Sequence, residues 1–305
     1  MSYLHVLNGD AVLPAFHQSK LPGEFVVCRE VLCEGKVKNT QDPDVFFQSR
    51  AKHLEFHYGI DKQSYYTQVV QELEKLKPSG SLQEIILWFD SDLFCQFNLL
   101  FIIHLIRQRF KVLPLISMVD IPRHPTAENY LQLFDTRTTL TDTDLEIADD
   151  IWDALCLETP QALELFAHLN NGQFKHMSTA ITAHLARFPN TENGLSSIQE
   201  FFLKRLQMGE YRWQDLYKLF WDSMPDYGFG DFQLDIMTNR MIKVGVLEQD
   251  DQKLKITSLG LEILANEENY LDYAPMEHRW LGGVRLKTSP WRWNKKLGRL
   301  VAMQK

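Results

Sequence analysis

Several common signatures are missing from this chain. It has no G-x-G-x-x-G, no G-x-x-x-x-G-K-[ST] and no G-x-S-x-G. A Walker-type NTPase and an elbow-type serine hydrolase are therefore not expected, and a nicotinamide cofactor has no glycine fingerprint to sit on. Cysteine is scarce: Cys28, Cys33, Cys95 and Cys156 lie in apolar contexts with no C-x-x-C pair, which reads as reduced core thiols in a cytosolic protein. Positive charge is outnumbered, with 32 Lys+Arg against 40 Asp+Glu and a formal net charge of -8. Whole-molecule attraction to nucleic acid or to an anionic membrane is not expected, although a local basic patch is allowed. Long apolar runs are also lacking. The longest, Leu99 to Ile106, is broken by His104 and stops at Arg107, far short of the roughly 20 residues that span a bilayer. The opening LHVLNGD follows Met-Ser with no basic segment or apolar h-region, so no signal peptide is expected and the protein reads as cytoplasmic.

What the chain does have is an ordinary globular composition, 45% apolar and 24% charged over 305 residues, enough for one large or two smaller domains. It is organised around Glu84 to Leu105, EIILWFDSDLFCQFNLLFIIHL. A short apolar run stops at Asp90 and Asp92, and a long apolar helical pattern starts at once. That is a buried strand turning tightly into a helix, the junction at which open α/β sheets hold their ligands.

Further strands are expected at Leu4–Leu7, Glu24–Leu32 and Lys111–Met118, with Pro114 placing the last near an edge. Helical patterns lie between them, so residues 1–125 read as an α/β domain with a mostly parallel, Rossmann-like sheet. Residues 126–194 read as an all-helical middle. It has a capping box at Thr143-x-x-Glu146 and a helix opened by Pro160. Residues 195–272 give three helices, a hairpin and a last helix, which is winged-helix order, with a second capping box at Ser197-x-x-Glu200. Residues 273–305 form a tail whose stretch from Arg279 to Lys305 carries eight cations and no acid, interleaved with Trp280, Trp291 and Trp293.

Four candidate sites follow. The first three strands end in polar groups: Asn8 and Asp10, Arg29 and Glu30, Asp90 and Asp92. In a parallel sheet these share one edge. Asp10, Glu30, Asp90 and Asp92 are the candidate catalytic carboxylates, able to hold Mg²⁺ or act as a base, while Asn8, Arg29 and Gln96 would contact a ligand. Against this, Asp10 and Asp92 can simply cap helices and Glu30 can pair with Arg29. Arg279, Trp280, Arg285, Trp291 and Arg292 of the tail are the candidate phosphate-binding and stacking residues, expected to roof that edge. The competing expectation is that the tryptophans pack on the body. In the third helix of the winged order, only Arg240 and Lys243 among Gln233, Asp235, Thr238 and Asn239 are basic, and acids flank them. Duplex binding there is not expected. His53 and His57 share a helix face but lack the H-E-x-x-H spacing of a zinc site. The leading expectation is a small phosphorylated or nucleotide-like ligand at the sheet edge; the alternative is a regulatory or adaptor protein using the winged helix.

LHVLNGD, CREVLCEG, LWFDSDLFCQFNLL, ITAHLARFPNTENGLS, HRWLGGVRL and WRW together resemble the bacterial domain of unknown function 1835 family over nearly the whole chain. The resemblance implies one continuous unit in which the tail belongs with the sheet. It implies no reaction. The family tends to carry an acid after the WRW block, where this chain has Asn294.

Overall fold

The computed structural model describes residues 2–40, 42–80, 82–274 and 276–303. Its centre is a five-stranded sheet in the order Glu24–Cys28, Ser2–Asn8, Leu82–Phe89, Leu115–Asp120 and Thr138–Thr139. The first four strands run parallel and the last is antiparallel. The chain leaves the Ser2–Asn8 strand first to one side and later to the other. The reversal therefore falls between Ser2–Asn8 and Leu82–Phe89, the place beyond the carboxyl ends at which open α/β sheets generally hold ligands.

Alternation along these strands divides the apolar side chains between two faces. Leu4, Val6, Ile85, Leu87, Ile116 and Met118 enter the main core. Leu7, Ile86, Trp88 and Val119 point to the other face, where Phe16 and Tyr130 complete a smaller core. His5 is wholly buried in that second layer. It is held between the Pro22 carbonyl at 3.1 Å and the Trp88 indole N–H at 3.1 Å. One nitrogen donates and the other accepts, the neutral form, and burial lowers its pKa.

The helix Leu93–Arg109 follows Asp92, whose carboxylate accepts from the Cys95 N–H at 2.8 Å as its N-cap. This helix is apolar nearly all round because it is buried nearly all round, with Leu99, Leu100, Ile102 and Ile103 fully covered. The helices Asp142–Cys156 and Met177–Leu185 pack against it. After them come the helices Ser197–Leu206, Trp213–Ser223 and Asp231–Lys243 and the hairpin Leu247–Asp250 with Lys253–Ile256, whose second strand also pairs with Tyr211–Arg212. A single apolar cluster runs from Leu4 to Leu300, so the sheet, the helices and the tail share one core.

Several local expectations shift. The capping boxes are Thr141 with Asp144 and Ser196 with Gln199, not Thr143 with Glu146 or Ser197 with Glu200. Each true box starts one or two residues earlier, with a shorter or neutral partner at the third position. Asp10 caps nothing: the 3₁₀ turn Asp10–Val12 begins after Gly9, with no side-chain cap. The middle is not wholly helical, since Thr138–Thr139 joins the sheet beyond residue 125. Two residues are too few to show a period. Arg137, next to them, anchors the crossing with a forked pair of bonds to Glu84 at 2.6 and 2.9 Å.

The tail folds as short strands. Trp280–Gly282 pairs with Val284–Arg285 and, in parallel, with Gly35–Lys36; Trp291–Asn294 pairs with Arg299–Ala302. Gly283 crosses the end of the Asp142–Cys156 helix so closely that a Cβ there would lie 2.1 Å from the Cys156 carbonyl. Its N–H bonds Leu155 O at 2.8 Å. Only glycine allows that approach. Asn294 closes the WRW hairpin by accepting from Lys296 and Leu297 N–H at 3.1 and 3.0 Å, a turn role that needs no carboxylate.

Candidate functional site

The strand ends converge at the sheet's carboxyl edge, but each polar group there is bonded within the chain. Asp10 is bound by Arg29, with a closest approach of 2.6 Å, and Arg29 also bonds Gln68 O at 3.0 Å. Glu30 is fully buried and takes Arg50 at 3.1 Å together with the Tyr65 hydroxyl. Burial, with Glu30 beside it, raises the Tyr65 pKa, so Tyr65 stays a protonated donor. Glu30 thus pairs with Arg50 rather than with the adjacent Arg29. Asn8 bonds Asn98 at 2.8 Å and Cys95 Sγ at 2.9 Å, and Gln96 donates to Asp90 O at 2.7 Å.

Asp90 and Asp92 share Arg123, at 3.8 and 3.5 Å. Burial, opposed by the Cys95 N–H and aided by Asp90, pushes the Asp92 carboxyl above its usual range. Over this pair sits the turn Pro225–Gly228. Arg123 bonds Pro225 O, and a Cβ on Gly228 would fall 2.2 Å from the Asp92 carboxylate. The roof of the edge is therefore this turn. Among the described residues no three His, Cys, Asp or Glu side chains group as a metal site.

The tail's cations lie elsewhere. Arg285 bonds Glu277 O, Arg292 bonds Ser289 O and Trp291 O, and Lys36 sits 4.1 Å above the Trp280 ring. Trp291 and Trp280 are half-buried, and Trp293 is buried. Among the described residues none of these cations bonds Asp10, Asp90 or Asp92. The expected meeting of acids and cationic tail is not made by direct contact.

A different cluster lies at the end of a relay that starts from Glu30. Arg50 joins Glu30 to the Glu34 carbonyl at 2.7 Å, and the Glu34 carboxylate in turn holds Arg187. Arg187 lines a small cavity of about 30 Å³ together with Arg240 and Arg279. Ser196 and Gln199, at the start of the Ser197–Leu206 helix, face the same space and add its positive end. On the outer side Arg240 and Arg279 also border a hollow of about 240 Å³, shared with Phe56, His57, Val244 and Tyr270. The walls come from the helices Pro43–Tyr58 and Asp231–Lys243 and from the segment leading into Trp280.

The electrostatics of this junction are one-sided. Among the described residues neither Arg240 nor Arg279 pairs with a carboxylate, and the Arg279 guanidinium has no hydrogen-bond partner. Arg240 donates to His57 Nδ1 at 3.0 Å, while His57 Nε2 reaches the His278 carbonyl at 3.0 Å. That fixes His57 in the neutral form. Burial first, and then Arg240, pull its pKa down to about 4. Burial and Arg240 likewise bring Arg279 down to about 10. His53, one helical turn before His57, has a buried Nε2 without a partner among the described residues, and burial and Arg50 lower its pKa too. Glu34 serves Arg187, and Glu277 on the outer rim serves Lys287 at 2.7 Å.

Of this cluster the sequence reading named Arg279 as a ligand contact and weighed Arg240 only as a reader of nucleic acid. It weighed His57 only as half of a zinc pair with His53, and it missed Arg187 and Tyr270. A signal was present: Arg187 and Arg279 lie inside the ITAHLARFPNTENGLS and HRWLGGVRL blocks. No protein-family model matches the chain, and no curated protein matches it. The resemblance to the domain of unknown function 1835 family rests on the blocks quoted above.

Proposed function

We propose that the protein recognises a small phosphorylated ligand, and that the phosphate is held between Arg240 and Arg279. The observation that carries this is two partly buried guanidiniums facing one space, neither of them ion-paired among the described residues, since the nearby Glu34 and Glu277 are taken by Arg187 and Lys287. Desolvated like charges are costly without a counter-charge, and a bound anion supplies one. Guanidinium suits phosphate because its fork donates two parallel hydrogen bonds. The Glu30–Arg50–Glu34–Arg187 relay supports the assignment by fixing one wall of the site rigidly to the sheet. The sheet edge itself offers acids that are already bonded, which suits phosphate poorly. Titration with inorganic phosphate, pyrophosphate and sugar phosphates, followed by melting temperature and by Trp280 fluorescence, tests the proposal. A rise in melting temperature that is lost in Arg240→Ala and in Arg279→Ala supports it, and no response to any phosphorylated probe refutes it.

The element order from Ser197 to Leu264 supports a second reading, a winged-helix module serving regulation. As a duplex reader it is poorly supplied with cations, because only Arg240 and Lys243 of the third helix are basic, Arg240 is bonded to His57, and Asp231, Glu248, Asp250 and Asp251 flank them. A regulatory role would then act through the ligand that this helix helps to hold. A gel shift at low salt that Arg240→Ala with Lys243→Ala abolishes would favour direct nucleic-acid binding instead.

A further inference from the structure

The larger hollow is not built for phosphate alone. Beyond the two guanidiniums its walls include Phe56, Val244, Tyr270 and Ala274, an apolar side that a sugar or a bare phosphate would leave unused, with His57, His278, Lys243 and the Lys287-paired Glu277 on its polar side. Phe56 stands at its mouth 67% exposed, although its ring meets His57 at 4.8 Å and His278 at 4.9 Å between centroids. An exposed aromatic ring on its own is unremarkable. Here it closes a group of three rings beside a cationic subsite, which is how proteins stack a flat base next to a phosphate. The volume of about 240 Å³ falls below the roughly 300–1,000 Å³ of drug-sized pockets. It suits a single ring system and not a dinucleotide.

Resting on the phosphate reading above, we propose that the ligand is a phosphate ester of a planar heterocycle, a mononucleotide in class. Its phosphate lies between Arg240 and Arg279, and its ring packs on Phe56 at the mouth of the hollow. Base stacking on a side chain changes affinity by about tenfold or more, so the ring should be visible in binding alone.

The test uses the full chain and calorimetric titration with inorganic phosphate, ribose 5-phosphate, nucleoside 5'-monophosphates and an unphosphorylated nucleoside. At least one monophosphate should bind about tenfold more tightly than ribose 5-phosphate. Phe56→Ala, a change at an exposed position that leaves folding intact, should erase that preference while inorganic phosphate binds as before. Arg279→Ala should weaken every phosphorylated probe. Equal binding of ribose 5-phosphate and all the monophosphates, or a preference that survives Phe56→Ala, overturns the ring assignment and leaves the phosphate site standing. Binding of no phosphorylated probe overturns both.

Discussion

The sheet edge and the arginine junction are both rich in charge, yet their charges are used differently. At the edge each carboxylate is bonded within the chain: Asp10 to Arg29, Glu30 to Arg50, Asp90 and Asp92 to Arg123. At the junction neither Arg240 nor Arg279 is ion-paired with a carboxylate among the described residues. The same residue types thus do structural work in one place and stand ready for a ligand in the other. Type and exposure do not distinguish the two; the presence or absence of an internal partner does.

The contrast predicts opposite outcomes when a cation is removed. Arg50→Met should be the most damaging, by about 3–5 kcal/mol in denaturant unfolding, because Glu30 would remain buried and uncompensated. An effect below about 1 kcal/mol would mean that the Glu30 site takes up water or a proton freely. Gly228→Ala comes next. Its φ of +64° and the Asp92 carboxylate 2.2 Å from the new Cβ should cost about 1–3 kcal/mol. A wild-type melting temperature would show that the Pro225–Gly228 turn is not seated on the edge.

Acid should then weaken the fold in a defined window. His5, His53, His57 and His184 all have pKa values lowered first of all by burial. Below about pH 6.5 the unfolded chain takes up protons that the folded chain refuses. This stability is therefore complete above pH 6.5 and is lost as pH falls towards the folded values. Each such histidine contributes a slope of about 1.4 kcal/mol per pH unit in that range. His184, which is 1% exposed, should account for one full slope, and His184→Leu should flatten the melting curve against pH by that amount. Raised Asp92 works in the opposite sense at lower pH, since its folded form holds a proton more readily than its unfolded form.

The smallest expected effect is the most informative. Arg279→Ala should leave stability within about 1 kcal/mol of the parent, or raise it slightly, because it relieves repulsion from Arg240. It should nevertheless abolish the thermal response to phosphate. A large destabilisation by this change, approaching that of Arg50→Met, would place Arg279 among the structural cations and remove the difference between the two regions.

Much of the sheet was legible in the chain because its strands are short apolar runs ended by acids, and no other element gives that pattern. EIILWF and its turn at Asp90 and Asp92 marked the strand, the N-cap and the following buried helix to within three residues. Asn8, Arg29, Glu30 and Gln96 were correctly placed at strand ends or on that helix, but their partners were not. Arg50 reaches Glu30 from a helix 20 residues on, and Asn98 reaches Asn8 across 90 residues. Thr138–Thr139 and Gly35–Lys36 were invisible, since a two-residue strand exists only by virtue of the strand it pairs with.

By itself the sequence determined what depends on neighbours a few residues apart: the alternation that sorts Leu7 from Val6, the apolar helix after Asp92, the turns at glycine and the acid-free run after Arg279. These follow from local sterics and periodicity. Which charge meets which was decided only by the tertiary structure, because that depends on segments brought together by the shared core. The core carries Arg187, Arg240 and Arg279 from three distant stretches to one hollow, and it closes the Asp90–Asp92 edge under Gly228. Burial there removes the water that would otherwise screen each charge, so the pairing of a group, more than its identity, fixes what it can do.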